Sequence, residues 1–337
     1  LANPIKYLKN NFKYLAAADI VNIAFLSFLL LLNIIFSSVI PYWFLLVLLN
    51  IVLICFIVYV VPVYEKNCEL HKGAEDVFSF IKVFRYWYGI IFILVCFKEV
   101  YILIHFINPA DYDKILIQLD YRLFGVNPTQ WIYKYNNPLL TEFLQIIYMF
   151  YYIMIAIYGL ELYLWKRYKE FKFAIFVIFI GFYIAYVLYL IFPAVGPRFY
   201  LHDFYSTSSE LPGLYLTDII RKMLDFGESI PGNVPNPVDF AQRDAMPSAH
   251  TSLALTIAYL SWKIKSKSFY FYLPYFFLMV FATIYLRYHY VVDIIAGTIL
   301  AVLTIGIGEY LLKRSPEGKY GVIKKIQKMK NAPVKER

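Results

Sequence analysis

The chain has 337 residues, 61% hydrophobic and 20% aromatic against 16% charged, which is far more apolar than a soluble core requires. Its net charge of +9 sits in short loops between apolar runs, a pattern of membrane topology rather than of nucleic-acid binding. Cys55, Cys68 and Cys96 form no CxxC pair, which excludes a disulfide framework, a thiolate metal site and redox chemistry.

The apolar runs, each about 20 residues, predict eight transmembrane helices at 15–39, 42–63, 84–107, 139–164, 172–193, 247–263, 268–287 and 289–312. The first run, from Tyr14 to Ile40, is too long for a cleavable signal peptide and lacks a small-residue cleavage site. Within the third run, Lys98 and Glu99 are neighbours, pointing about 100° apart on a helix. At that depth at least one is a candidate site residue, Lys98 as a phosphate-side charge or as a structural partner of Glu142. The segment 111–134 mixes Ile115, Leu116, Leu119, Leu123, Phe124 and Trp131 with charges and breaks at Gly125 and Pro128, as short interfacial helices do. Tyr148, Tyr151 and Tyr152 form a stripe that reads as packing or interface anchoring. The segment 194–246, rich in Pro, Gly and Asn with a helical stretch near Leu216–Leu224, reads as a lid or entrance loop.

Lys6, Lys9 and Lys13, then Lys66, Lys72, Lys82 and Arg85, then Lys166, Arg167, Lys169 and Lys172, then Lys263, Lys265, Lys267 and the basic tail all fall on one face of an eight-span chain. Short cytoplasmic loops are enriched in Lys and Arg, so both termini are expected in the cytoplasm. The segments 108–138 and 194–246 are then expected on the opposite side, be it periplasmic, extracellular or lumenal.

Three pieces carry chemistry on that outer side. In Met246-Pro247-Ser248-Ala249-His250 a proline opens a helix, placing Ser248 and His250 where free N–H groups and the dipole favour a phosphate. His250 is a candidate proton donor there, or a histidine that faces water beside a capped helix. In Arg287-Tyr288-His289-Tyr290-Val291-Val292-Asp293, His289 and Asp293 are four apart, so on a helix the carboxylate can hold one imidazole nitrogen and leave the other as nucleophile. The alternative is a structural pair that keeps Asp293 satisfied. In Pro193-Ala194-Val195-Gly196-Pro197-Arg198 the arginine offers a fork of donors for phosphate, or is an ordinary interfacial arginine. His202, Arg243 and Asp244, in the outer loops, are candidates for reading a head group or acceptor.

These pieces resemble the type 2 phosphatidic acid phosphatase superfamily, whose motifs run K-x6-R-P, P-S-G-H and S-R-x5-H-x3-D. The likeness spans about 84–312: Arg198 resembles the first motif's arginine, Pro247, Ser248 and His250 fit the second with Ala249 for glycine, and His289 and Asp293 fit the third. The lysine of the first motif falls at Ile191 and the arginine of the third at Thr283, so Arg287 stands as the substitute phosphate ligand. Tyr285-Leu286-Arg287-Tyr288-His289-Tyr290 is more similar to the branch with inositol phosphorylceramide synthases, enzymes of sphingolipid metabolism.

The resemblance implies an all-α polytopic membrane protein in three parts. Residues 1–83 form an extra N-terminal hairpin and cytoplasmic loop, 84–312 a six-helix catalytic core, and 313–337 a basic cytoplasmic tail. It implies a phosphohistidine mechanism without metal or cofactor on a lipid in the outer or lumenal leaflet, with His289 as nucleophile, His250 as acid and base, Asp293 orienting, and Arg198, Ser248 and Arg287 on the phosphate. The group passes to an alcohol acceptor, or to water in a lipid phosphatase acting on a phosphatidic acid-like or polyprenyl phosphate. A non-enzymatic lipid transporter is the remaining alternative; such folds carry internal repeats and broken helices, and neither is legible here. No nucleic acid is expected as partner, and the oligomeric state is open.

Overall fold

Each long apolar run folds as a helix. The structure is a computed structural model describing residues 12–70, 80–232 and 234–314. Lys6, Lys9, Lys72 and the tail beyond Arg314 lie outside the described residues, so the expected N-terminal and C-terminal basic segments do too.

The chain divides into two compact units, Leu1–Pro109 and Ala110–Arg337. The division falls after the third long helix, whereas the sequence places a boundary before it at 83/84. In the first unit are α1 (Ala17–Ile35), α2 (Trp43–Cys55) and α3 (Phe80–Ile107). Beyond Cys55 the helical path of α2 continues through a π turn, Phe56–Val60, into Val61–Leu70. Pro62 stands two residues after the end of that turn and brings no N–H to the ladder, which suits a local register change. At one end Arg85 of α3 binds Asp19 of α1 at 2.7 Å and Glu65 at 2.8 Å, tying three helical segments with a single guanidinium.

The second unit holds α4 (Asp113–Phe124), α5 (Pro138–Leu164), α6 (Tyr168–Ile191), α7 (Thr217–Gly227), α8 (Ala249–Lys263), α9 (Phe269–Tyr285) and α10 (Val291–Arg314), with one-turn helices in the loops. Asn137 caps α5, its Oδ1 accepting the Leu139 and Leu140 N–H groups at 2.9 and 3.2 Å, and Pro138 takes the first helical position. α8 packs against α6, α9 and α10, α10 also against α6, and α5 against α6 and α9. No strand occurs among the described residues.

Among the described residues six helical stretches are long and apolar enough to cross a membrane: Ala17–Ile35, Trp43–Lys66, Ile81–Ile107, Pro138–Leu164, Tyr168–Ile191 and Val291–Leu311. The other two expected spans are α8 and α9, at 15 and 17 residues. The chain is an all-helical integral membrane protein. α4 is amphipathic with its apolar side outward: Ile115, Leu119, Leu123 and Phe124 are exposed, whereas Asp113 and Asp120 are buried. This is the pattern of an amphipathic helix whose acids are turned into the protein.

Candidate active site

Asp113 and Asp120 are seven residues apart, two turns along one face of α4, and each fastens a different piece of the site. Asp113 accepts the backbone N–H groups of Val195 and Gly196 at 2.9 and 2.8 Å and the Tyr290 hydroxyl at 2.9 Å. Asp120 accepts the N–H groups of Val291 and Val292, both at 2.9 Å, and so caps α10. Burial pushes the Asp113 carboxyl up to about 6 against the pull of its three donors.

Backbone contacts complete the assembly. Arg198 N–H donates to Arg287 O at 3.0 Å, Ala245 N–H to Ala194 O at 2.9 Å, and Ser248 N–H to Asp293 O at 3.0 Å. Two glycines allow these approaches. A Cβ on Gly196, whose φ is +99°, would stand 2.6 Å from Tyr288 O, and a Cβ on Gly297 would collide with Ser248 O.

The three sequence motifs thus meet, and two imidazoles face each other where they join. His250 Nδ1 lies 3.0 Å from His289 Nε2, and His289 Nδ1 lies 3.0 Å from Ala245 O. A carbonyl can only accept, so His289 carries its proton on Nδ1 and presents a lone pair on Nε2. His250 then donates from Nδ1 into that lone pair. Burial pulls the His289 imidazole down to about 4, partly offset by Asp244, so it is neutral at pH 7.

Asp293 Oδ2 is 3.5 Å from His289 Nδ1 and accepts Tyr290 N–H at 2.9 Å. His289 precedes α10 rather than riding on it, which corrects the expectation of a shared helix face: the nearer acceptor is the Ala245 carbonyl. Ser248 is the N-cap of α8, accepting Thr251 N–H at 3.3 Å, one position before the first turn expected for it. The tyrosine stripe is more than packing, since Tyr148 and Tyr151 set their rings 4.6 and 4.1 Å from the His250 ring, and Tyr148 stacks on Tyr288 at 4.2 Å.

Arg198 is buried 5.1 Å from the Tyr288 ring centre and pairs with Asp225 at 3.1 Å and with Glu228. These carboxylates keep its guanidinium firmly charged despite burial. Arg287 pairs with Glu210 and lies over the Tyr133 ring at 5.2 Å. Both candidate phosphate arginines are therefore held by acids of the segment 201–246. That segment is anchored separately: the Glu142 carboxylate accepts four successive N–H groups, Leu214 to Thr217, and the Thr217 hydroxyl. Arg198, Arg221, Lys222, Asp218, Asp225, Phe226 and Tyr288 line part of a cavity of about 590 Å³, whose lining does not include either histidine.

The remaining expected residues divide. Asp244, half-buried, lies within electrostatic reach of His289, Arg198 and Glu228, and burial together with Glu228 pushes its carboxyl up to about 6. Arg243 binds Asp111 at 2.7 Å. His202 Nε2 meets Thr129 Oγ1 at 3.1 Å, with burial and Arg287 pulling its imidazole down to about 3. Lys98 belongs to the first unit, its Nζ 5.7 Å from the Tyr101 ring centre. Among the described residues no group of three or more His, Cys, Asp and Glu side chains could hold a metal ion.

Sequence reading missed Asp113, Asp120, Glu210, Asp225 and Glu228. Only the first two carried a local signal, a pair of acids at helical spacing opposite an apolar stripe. A family model described as the PAP2 superfamily matches residues 114–307. No curated protein matches the chain, and no solved structure does.

Proposed function

The chain belongs to the PAP2 superfamily, whose members are phosphatase- or phosphotransferase-type enzymes, and we propose that it transfers a phosphoryl or phospho-head group of a membrane lipid through a phosphohistidine on His289. The observation that carries this reading is the imidazole pair at 3.0 Å, with one Nδ1 held by a carbonyl.

In the first half-reaction the lone pair of His289 Nε2 attacks phosphorus, the bond from phosphorus to the leaving oxygen breaks, and His250, protonated on both nitrogens once the anionic phosphate is bound, passes its Nδ1 proton to that oxygen and is left neutral. Phosphorus enters between the imidazoles, so the proton that His250 donates to Nε2 in the resting site becomes the one delivered to the leaving group. The phosphorylated imidazole is positive, and its Nδ1–H keeps the Ala245 carbonyl and the Asp293 carboxylate beside it. In the second half-reaction His250 takes the proton of the incoming hydroxyl as its oxygen attacks phosphorus, and the P–N bond pair returns to Nε2. Ser248, the first N–H groups of α8 and Arg198 serve the equatorial oxygens, and Arg287 joins them when it exchanges Glu210 for phosphate.

The cavity favours transfer to an alcohol over hydrolysis. Its volume is in the range of small-molecule sites, and Arg198, Arg221, Lys222, Asp218 and Asp225 give its wall both donors and acceptors, which suits a hydroxylated acceptor or head group better than a single water. An inositol phosphorylceramide synthase-like reaction is one such transfer. The distribution of basic loops supports a site on the non-cytoplasmic side, and the amphipathic α4 suits the interface there. The test is incubation with radiolabelled lipid phosphates and phosphodiesters: an acid-labile, base-stable label on the wild type, absent in His289→Ala, is expected. Turnover with no such label, or turnover retained in His289→Ala, overturns the phosphohistidine. Phosphate release without an added alcohol marks a hydrolase.

A further inference from the structure

Glu99 has no part in this chemistry, yet it is the centre of a buried polar cluster among the helices of the first unit. The Nδ2 atoms of Asn33 and Asn50 both donate to its Oε1, at 2.7 and 2.6 Å. Each amide gives its other hydrogen to a carbonyl one turn back, Leu29 O at 2.8 Å and Leu46 O at 2.9 Å. Their donor capacity is exhausted. Three acceptors remain, Glu99 Oε2, Asn33 Oδ1 and Asn50 Oδ1, all buried and without a hydrogen-bond partner. The three residues are at most 2% exposed. An amide's oxygen and nitrogen share one carbon, so each Oδ1 lies within about 5 Å of Glu99 Oε1.

Counting decides what completes this cluster. A proton on Glu99 turns Oε2 into one donor, which serves one amide oxygen and leaves the other bare. A cation bound among them would satisfy all three. The oxygens carry one negative charge in total, so a monovalent ion gives a neutral cluster, whereas a divalent ion leaves net charge among membrane helices. Donors that are all oxygen select a hard ion. We propose that Glu99, Asn33 and Asn50 form a buried binding site for a small monovalent cation, with sodium as its ion.

Asn33 stands two residues before the end of α1, next in sequence to the connection 36–42. Glu99 lies eight residues before Ile107, about 12 Å down α3 from that end. The three helices of the site belong to one compact unit, and the proposal does not rest on the phosphotransfer reading.

The test uses the purified full-length protein and dicyclohexylcarbodiimide, an apolar reagent that modifies protonated carboxyls in membrane surroundings and is excluded when a cation holds the oxygens. At fixed pH and ionic strength, sodium chloride in place of choline chloride is expected to slow modification of Glu99, read by peptide mass spectrometry, and to raise the unfolding temperature. Radioactive sodium is expected to bind once per chain. Asn50→Leu and Asn33→Leu, which each remove one oxygen, should weaken protection by about tenfold or more. Glu99→Gln should abolish the thermal shift, and if that variant does not fold, wild-type stoichiometry decides alone. Modification that follows pH and ignores sodium overturns the site and leaves a protonated carboxyl braced by two amides. Protection by calcium at lower concentration than sodium overturns the monovalent assignment.

Discussion

Replacing Glu228 by Gln should make the protein bind vanadate more tightly, although the residue touches the arginine assigned to phosphate. Arg198 is 5% exposed and its terminal nitrogens are taken by Asp225 and Glu228, so an incoming phosphate must exchange for those carboxylates. A hydrogen bond to a charged group contributes about 1.5–3 kcal/mol. The Glu228 side chain retains 18% exposure, which places it at the lower end of that range. Weakening this competitor by about 1.5 kcal/mol corresponds to roughly tenfold tighter binding of the transition-state mimic. Asp225, at 28% exposure and 3.1 Å, should yield a smaller gain in Asp225→Asn. The assay is vanadate inhibition of lipid turnover, with vanadate-dependent thermal shift as a second readout that needs no substrate. Unchanged or weaker binding in Glu228→Gln would refute the reasoning, because the carboxylate would then be positioning Arg198 for phosphate rather than competing with it.

His289→Ala should abolish turnover and His250→Ala should slow it by roughly two orders of magnitude or more, both read in single-turnover kinetics. Gly196→Ala should inactivate the protein, since its Cβ at φ +99° would stand 2.6 Å from Tyr288 O; activity within about twofold of wild type would dismiss this close approach as a constraint. Asp120→Ala leaves the Val291 and Val292 N–H groups without their acceptor and should lower stability by about 1–3 kcal/mol in chemical unfolding. Because Asp244 is pushed up to about 6, a limb of kcat/KM with midpoint near that pH should vanish in Asp244→Asn; a limb that persists belongs to another group. His289 is lowered from 6.5 to about 4, so its contribution to stability is fully present above pH 6.5 and is lost as pH falls through about 4. Over that window the loss approaches about 3 kcal/mol, measurable as a falling unfolding midpoint.

The sequence by itself determined the helical membrane class, the places of the long helices and the amphipathic character of α4, and it singled out His250, His289, Asp293, Ser248 and Arg198, which the structure brings into one region. These are local properties. Apolar runs of about 20 residues can satisfy their backbone in lipid only as helices, and each motif is a few residues whose spacing survives in any fold that keeps its helix. Which atoms meet was decided by the tertiary structure, because the partners come from segments far apart in the chain. Nothing near His289 in sequence foretells that Ala245 O, and not Asp293 alone, holds its Nδ1 proton. Nothing near Arg198 foretells that Asp225 and Glu228 occupy it, or near Arg287 that Glu210 does. Asp113 and Asp120 look like solvated charges on an amphipathic helix until its apolar face turns outward and its acids meet the backbone of the other motifs. Glu99 is conspicuous in sequence as a charge in an apolar run, yet the two amides that surround it come from other helices. A buried polar atom is satisfied by whatever lies within about 3 Å in space, and that neighbourhood is written only once the helices have packed.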